Sequence, residues 1–283
     1  MYRIISKRSL NQARTTTEMV IEAPLTAKKC KAGQFVMLRL DETGERIPLT
    51  IADYDREKGT VTVMFQPAGK TTNKLNDMEP GEYITDFFGP LGKPTNMEGL
   101  TRVAVVGGGV GCAIAYPVAK GMFDAGIEVD MIAGFRTKDI VILEDEMRAG
   151  CTNLYITTDD GSYGEKGFTT DKLKQLIESG RKYDEIVAIG PTIMMKFVAS
   201  ATEPYGIKTV VSLNPIMTDG TGMCGGCRVT VGGEMKFACV DGPEFDAHKV
   251  DWNELLARNS FYKPEETLAN EHYCRLTGGA GNG

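Results

Sequence analysis

The sequence predicts a β + α/β protein in three parts: an N-terminal β-barrel, a parallel-sheet nucleotide-binding domain and a small cysteine-rich domain. Three observations carry this. Residues 1–98 break into short apolar runs at hairpin spacing. From residue 99 strand patterns alternate with helix patterns, which means βαβ units. Cys224, Cys227 and Cys239 then crowd into a glycine-rich segment, 214–250, with 251–283 left as a terminal helix and tail.

The barrel strands are YRIISKR, TEMVIEA, QFVMLRL, IPLTIADY, TVTVMFQ and EYITDFF, separated by turn residues and with little helix pattern between them. In the second part TRVAVV is a buried strand that enters GGGVG and a helix to about residue 122. IEVDMIAGF, TNLYITTDD, YDEIVAIG and IKTVVSL are further strands. ILEDEMRAG, TTDKLKQLIESG and PTIMMKFVASAT are the helices between them. TVGGEMKFAC reads as a hairpin, and WNELLAR as a helix leading to a GGAGNG end that is mobile or ordered on a partner.

A net charge of −6 without a basic stripe argues against nucleic acid as a partner. MYRIISKRSL has no apolar core of a secretory signal, and the uncharged stretch 103–119 holds four glycines and Pro117, so no membrane span is expected. Seven cysteines, an odd number, favour a reducing, cytoplasmic setting over a disulfide framework. Cys30, Cys112, Cys151 and Cys274 stand alone and read as small buried hydrophobes.

Gly107, Gly108, Gly109, Val110 and Gly111 lie between a strand and a helix, the geometry that turns backbone N–H groups and a helix dipole towards a phosphate. The strict G-x-G-x-x-G pattern is absent, since Cys112 takes its sixth position, and Arg136 stands where a ribose-binding acid would end the next strand. Two more loops fall on the same sheet edge: one with Asp159, Asp160 and Gly161, the other with Gly190, Pro191 and Met194. An acidic pair near an adenosine ribose repels a 2′-phosphate and favours NADH over NADPH; the same residues also make an ordinary capped turn.

Arg46 precedes Pro48-Leu49-Thr50, and Gly69-Lys70-Thr71-Thr72 follows a later strand. The Gly-Lys-Thr triplet is no Walker A motif, because Met64 stands where its first glycine belongs. With Arg46 it forms a candidate pyrophosphate site. In the cysteine-rich part the spacing Asp219-x4-Cys224-x2-Cys227-x11-Cys239 matches the plant-type [2Fe–2S] run with Asp in the first place. Zinc held by the three cysteines with Asp219 or His248 is the competing reading, and would suit a non-redox NAD-binding regulatory subunit. His248 and His272 are the two histidines, and with no G-x-S-x-G motif a hydrolase triad has no support.

Taken together, these motifs resemble the ferredoxin–NADP reductase superfamily, in the branch with a C-terminal [2Fe–2S] domain, over residues 1 to about 250. Two families of that branch are similar: the electron-transfer subunit of dihydroorotate dehydrogenase, and the small subunit of the bifurcating NADH-dependent ferredoxin:NADP oxidoreductase. Asp219 and RIPLTIADYD resemble the second.

The resemblance implies a flavin-binding β-barrel, with Pro48, Leu49 and Thr50 under the isoalloxazine, Thr50 near its N5, and Arg46, Thr71 and Thr72 at the pyrophosphate. Phe88 and Gly89 are cofactor-binding residues where the GPLG junction motif (89–92) begins, the 107–111 loop takes NAD(H), and GPTIMM lies near the nicotinamide. It implies FAD, a [2Fe–2S] cluster and NAD(H) as cofactors, the flavin converting hydride transfer into single-electron transfer. It also implies a partner: a large subunit with its own flavin and [4Fe–4S] clusters, serving ferredoxin and NADP(H), with the 251–283 tail at the interface.

Overall fold

The computed structural model describes residues 1–277. The first sheet contains β1 (Tyr2–Ser9), β2 (Thr17–Glu22), β3 (Phe35–Arg39), β4 (Ile47–Asp55), β5 (Thr60–Phe65), β6 (Tyr83–Ile84) and β7 (Asp86–Leu91). All its pairings are antiparallel, in the order β6-β1-β2-β5-β4-β3-β7. Alternation sets the faces: Met19 and Ile21 of β2, and Val61 and Val63 of β5, are fully buried, while Glu18 and Glu22 face outward or to the rim. The two edge strands, β6 and β7, are separated in sequence by Thr85 alone, so the sheet has to curl until its edges meet. The predicted run EYITDFF is thus two strands.

Two helices interrupt the barrel segment, where little helix was expected: α1 (Pro24–Lys29) and α2 (Lys70–Asp77). In α2 only Thr71 and Leu75 are buried, too few to print an apolar stripe. Local chemistry starts it instead: the Thr72 hydroxyl accepts the Gly69 N–H at 3.0 Å and donates to the Gly69 carbonyl at 3.0 Å.

The second sheet has the order β11-β10-β9-β8-β12-β13-β16. Its strands are β8 (Arg102–Gly108), β9 (Glu128–Phe135), β10 (Asn153–Thr158), β11 (Glu165–Lys166), β12 (Glu185–Ile189) and β13 (Thr209–Ser212), all parallel. Helices α3 (Gly111–Asp124) and α4 (Glu144–Ala149) pack with one core, α5 (Thr169–Glu178) and α6 (Thr192–Thr202) with the other. Covered on both faces, β8 and β12 are continuous apolar runs. From β8 the chain moves outward through β9 and β10, then returns to the other side as β12. Such a reversal opens a crevice at the carboxyl ends of the strands.

The hairpin of β14 (Arg228–Val231) and β15 (Glu234–Phe237) turns at Gly232 and Gly233, with φ of 62° and 79°, the left-handed pair of a type I′ turn. The next strand, β16 (Glu244–Asp246), leaves the cysteine-rich segment and joins the parallel sheet, antiparallel to β13. Helix α7 (Trp252–Asn259) is capped by the Asp251 carboxylate, which accepts from the N–H groups of Asn253 and Glu254. Helix α8 (Lys263–Thr277) crosses back to the barrel. There Asn73 Nδ2 donates to Asn270 Oδ1 at 2.8 Å and Tyr273 Oη to Asp77 Oδ2 at 2.6 Å, both on α2. The GGAGNG end lies outside the described residues. No helix among the described residues is long and apolar enough to cross a membrane.

Glu244 marks the junction of the three parts. Its Oε1 accepts from the Thr95 hydroxyl at 2.6 Å, close beside Gly33 of the barrel. Burial pushes this carboxyl up to about 7, with Thr95 opposing and Glu185 adding to the rise. A raised carboxyl favours the folded state at low pH, and that stabilisation is lost as pH climbs from the ordinary glutamate value through about 7. Glu244→Gln is therefore expected to leave the melting temperature unchanged near pH 5 and raise it near pH 8, the difference amounting to roughly 2–3 kcal/mol. Thermal melts across that range check it; a constant offset would place the effect elsewhere.

Candidate functional site

A cavity of about 770 Å³ separates the barrel from the carboxyl edge of the parallel sheet. Its barrel wall is Pro48, Leu49 and Thr50 of β4, with Phe35, Met64 and Gln66. Opposite stand Gly108, Gly109, Val110 and Gly111, then Arg136, Asp159, Gly190, Pro191 and Met194. Residues as far apart in sequence as Phe35 and Met194 thus face one crevice at the reversal point of the sheet, where such folds hold their ligands.

The glycines of the loop do different things. Gly107 lies against Cys112 and Ala115 of α3, outside the cavity. Gly108 and Gly190 run under the Met194 thioether. Gly109 has φ of 58° and turns the chain. Gly111 starts α3 so close to the end of β12 that a Cβ there would lie 2.5 Å from the Ile189 carbonyl oxygen. No side chain caps the N-terminus of α3, which leaves that end facing the cavity through Val110 and Gly111.

Of the acidic pair, Asp159 lines the cavity and Asp160 does not. The Asp160 carboxylate accepts from the Ser162 N–H at 2.9 Å and hydroxyl at 2.7 Å, which holds it below the usual carboxylate range. Gly161 shares that turn, with φ of 79° and Lys166 against it. This half of the expected pair is a capped turn.

Arg46 and the 69–72 turn lie beyond this cavity. A 3.2 Å bond from the Thr71 hydroxyl to Glu45 Oε2 ties the two segments together. The Arg46 guanidinium sits over the Phe88 ring at 5.7 Å and 3.8 Å from Asp86, a carboxylate that Arg39 already engages at 2.7 Å. Arg46 is thus steered but loosely held, as an anion-binding group should be. Gly89 is packed between Val36 and the Phe35 carbonyl and works as a seam between β7 and β3.

In the cysteine loop Cys227 and Cys239 are buried with their sulfurs 3.2 Å apart. Burial and the neighbouring thiol push Cys239 up to about 12. Cys224 is exposed, and its Sγ accepts from the Thr218 hydroxyl at 3.0 Å and the Gly226 N–H at 3.3 Å; both favour the thiolate. Asp219 accepts from the N–H groups of Thr221 and Cys224, each at 2.6 Å, which lowers its carboxyl. Among the described residues no three of these groups are gathered around a common point. The donor set nevertheless fits a cluster: two adjacent buried thiols need a cation before both can ionise, and N–H and O–H donors already point at the third sulfur.

His248 does not belong to this set. Its Nε2 lies 3.0 Å from the Thr202 hydroxyl, and Thr209 donates to the same oxygen, so the ring is part of a polar link between β13 and α6. A zinc site using His248 is thereby corrected. Burial pushes Cys30, Cys112 and Cys151 up to about 11, 12 and 11, as suits inert core thiols.

The cluster loop rests directly on the barrel. A Cβ at Gly220 would lie 2.6 Å from Met37 Cγ and 2.8 Å from Leu91 Cδ1. Met37 is the cross-strand partner of Pro48, and Phe35 of Thr50. One strand therefore separates the cluster loop from the Pro48–Thr50 wall, a spacing of about 4.8 Å between strands.

Comparison with known proteins agrees with this layout. Residues 214–251 match the iron-sulfur cluster binding domain of dihydroorotate dehydrogenase B. The electron transfer subunit of dihydroorotate dehydrogenase B (NAD(+)) from Geobacillus thermodenitrificans is 33% identical, over 87% of this chain and 96% of that one. The chain belongs to the family of dihydroorotate dehydrogenase B electron transfer subunits and their homologues. A homolog of that subunit from Thermotoga maritima is 47% identical over 91% of each chain. A solved structure of an NADH-dependent reduced ferredoxin-NADP oxidoreductase, described for flavin-based electron bifurcation, superimposes with a TM-score of 0.91. It is 44% identical, with 96% of this chain and 98% of that chain covered. The protein is accordingly an electron-transfer subunit of the ferredoxin–NADP reductase type.

Several cavity residues carry no sequence motif. Ser212, Leu213, Asn214, Pro215 and Met217 wall the cavity at the end of β13 and just past it, and Phe168 and Thr169 do so at the start of α5. Their signal was position alone: each lies at or just past a strand end, or at a helix start, on the carboxyl edge.

Proposed function

We propose that this chain is the electron-transfer (diaphorase) subunit of a flavin-based, electron-bifurcating oxidoreductase. FAD would lie on Pro48, Leu49 and Thr50 with its phosphates at Arg46 and the 69–72 turn, and NAD(H) on the 107–111 and 190–194 loops. The [2Fe–2S] cluster would be held by Asp219, Cys224, Cys227 and Cys239. The single observation that carries the reading is the packing of Gly220 on Met37, which sets the cluster loop one strand from the flavin wall. Bound flavin supplies the exchange between two-electron nicotinamide and one-electron iron–sulfur chemistry. The chain's own residues orient: Thr50 offers a hydroxyl at the ring, Met194 covers the glycine loop, and the Thr218 hydroxyl and Gly226 N–H stabilise charge on sulfur.

The test is anaerobic purification with a visible spectrum before and after NADH. Bound flavin and about two irons per chain, bleached by NADH, are expected; a colourless, iron-free protein would overturn the reading. The partner is proposed to be a large flavin and [4Fe–4S] subunit serving NADP(H) and ferredoxin in the cytoplasm, supported by the 44% identity to the bifurcating enzyme. The 33% identity to dihydroorotate dehydrogenase B subunits supports the second reading, a dihydroorotate-oxidising partner. Reduction of NADP+ with ferredoxin, or of the complex by dihydroorotate, separates them.

Asp159 is the cavity's acidic residue beside the expected ribose. Asp159→Ser is expected to lower the KM for NADPH roughly tenfold while changing that for NADH little, as loss of one like-charge contact implies. Equal KM changes for both nucleotides would place Asp159 away from the 2′ position.

A further inference from the structure

The end of α7 reaches the cysteine loop from outside the motif. Arg258 Nη2 donates to the Gly226 carbonyl at 3.0 Å, and Arg228 Nη1 donates to the Gly225 carbonyl at 3.3 Å. These are successive peptide units, the last two of the three that join Cys224 to Cys227. The first unit's N–H, that of Gly226, points at Cys224 Sγ, 3.3 Å away. A cation on a peptide carbonyl polarises that unit and strengthens its N–H as a donor. So the Arg228 contact acts on the N–H that faces sulfur, and the Arg258 contact fixes the unit that leads into Cys227.

The surroundings favour an electrostatic role over simple bracing. A second cavity, of about 460 Å³, adjoins Cys224 and is lined by Thr218, Arg228, Arg258, Asn259, Phe261 and Tyr262, among others. Two arginines and no carboxylate line it, on a chain of net charge −6. Arg258 Nε is buried without a hydrogen-bond partner in the protein, so the charge is kept close to the loop although one of its donors goes unused. Bracing alone would be met by a neutral amide. Cation and N–H donor both stabilise the more negative, reduced state of an iron–sulfur centre and raise its potential.

We propose that Arg258, assisted by Arg228, is a positioning residue that raises the reduction potential of the cluster, so that the cluster accepts electrons from the flavin side. This rests on the [2Fe–2S] reading above. Arg258 touches neither flavin nor nucleotide wall, since it lines only the second cavity.

The experiment is a redox titration of the full-length wild type, Arg258→Gln and Arg258→Lys, followed by the electron paramagnetic resonance of the reduced cluster, with iron and flavin assayed in each. The signal reports only loaded protein, so partial cluster loss does not blur the midpoint. Arg258→Gln is expected to lower the reduced-to-oxidised ratio at a fixed potential about tenfold, a midpoint shift of about 59 mV for one electron. Arg258→Lys, which keeps the charge, is expected to recover most of it. An unchanged midpoint in Arg258→Gln overturns the proposal, and so does an equal fall in both variants, which would make the role purely structural. A wild type without the cluster signal overturns instead the reading on which the proposal rests.

Discussion

Replacing Cys227 with serine is expected to strip the iron from the protein, from about two per chain to near none, while leaving its flavin in place. Cys227 is buried beside Cys239 at 3.2 Å, in a core it shares with Met37, Val229 and Ala238. A serine hydroxyl there is a harder, far less acidic donor than a thiol and cannot reach the same position. Losing a partner that merely supports a ligand costs roughly 10–100-fold in metal affinity, and losing the ligand should cost more. The flavin wall is a separate strand, β4, so NADH should still bleach bound flavin in the variant. What should fail is onward transfer to a one-electron protein acceptor. Iron, flavin and the two activities are measured on one preparation. Full iron with an unaltered spectrum would remove Cys227 from the ligand set.

Gly111→Ala is expected to damage the nucleotide site as sharply as Cys227→Ser damages the metal site. The added Cβ would lie 2.5 Å from the Ile189 oxygen, 2.6 Å from Gly190 Cα and 3.0 Å from Gly190 N. All three are backbone atoms at the end of a central strand, so nothing can swing aside. Helix α3 must shift, and with it the helix end that faces the cavity. Overpacking of this kind costs roughly 1–3 kcal/mol, so the KM for NADH should rise roughly 10–100-fold. Flavin content should not change, because Pro48, Leu49 and Thr50 lie on β4, which is held by its own pairing with β3 and β5. Gly108→Ala is the contrasting variant: its obstruction is the Met194 thioether, a flexible side chain that can move, and a smaller effect is expected. Equal KM values for the two variants would refute the assignment of these separate roles.

Much of this was legible in the residues themselves. Alternation in TEMVIE and TVTVMF fixed which faces of the first sheet are buried, and the unbroken apolar run of RVAVV fixed a strand covered on both sides. Gly232-Gly233 specified its own turn, and the Asp219–Cys239 spacing specified a metal-binding loop. In each case the determining interactions lie within a few residues of one another, so a local pattern suffices.

The remainder depended on segments distant in sequence. Helix α2 lacks an apolar stripe and is held by its first turn and by α8, almost two hundred residues later. Asp159 and Asp160 are adjacent and chemically identical, yet only one reaches the cavity, because Ser162 claims the other. His248 had the chemistry of a zinc ligand and went to Thr202 instead. Nothing in WNELLARN marks Arg258 as a neighbour of the cysteine loop. Periodicity and spacing tell a residue which face of its own element it occupies. Which other element meets that face is a property of packing, and only the tertiary structure decided that the cluster loop lies on β3, one strand from Pro48, Leu49 and Thr50.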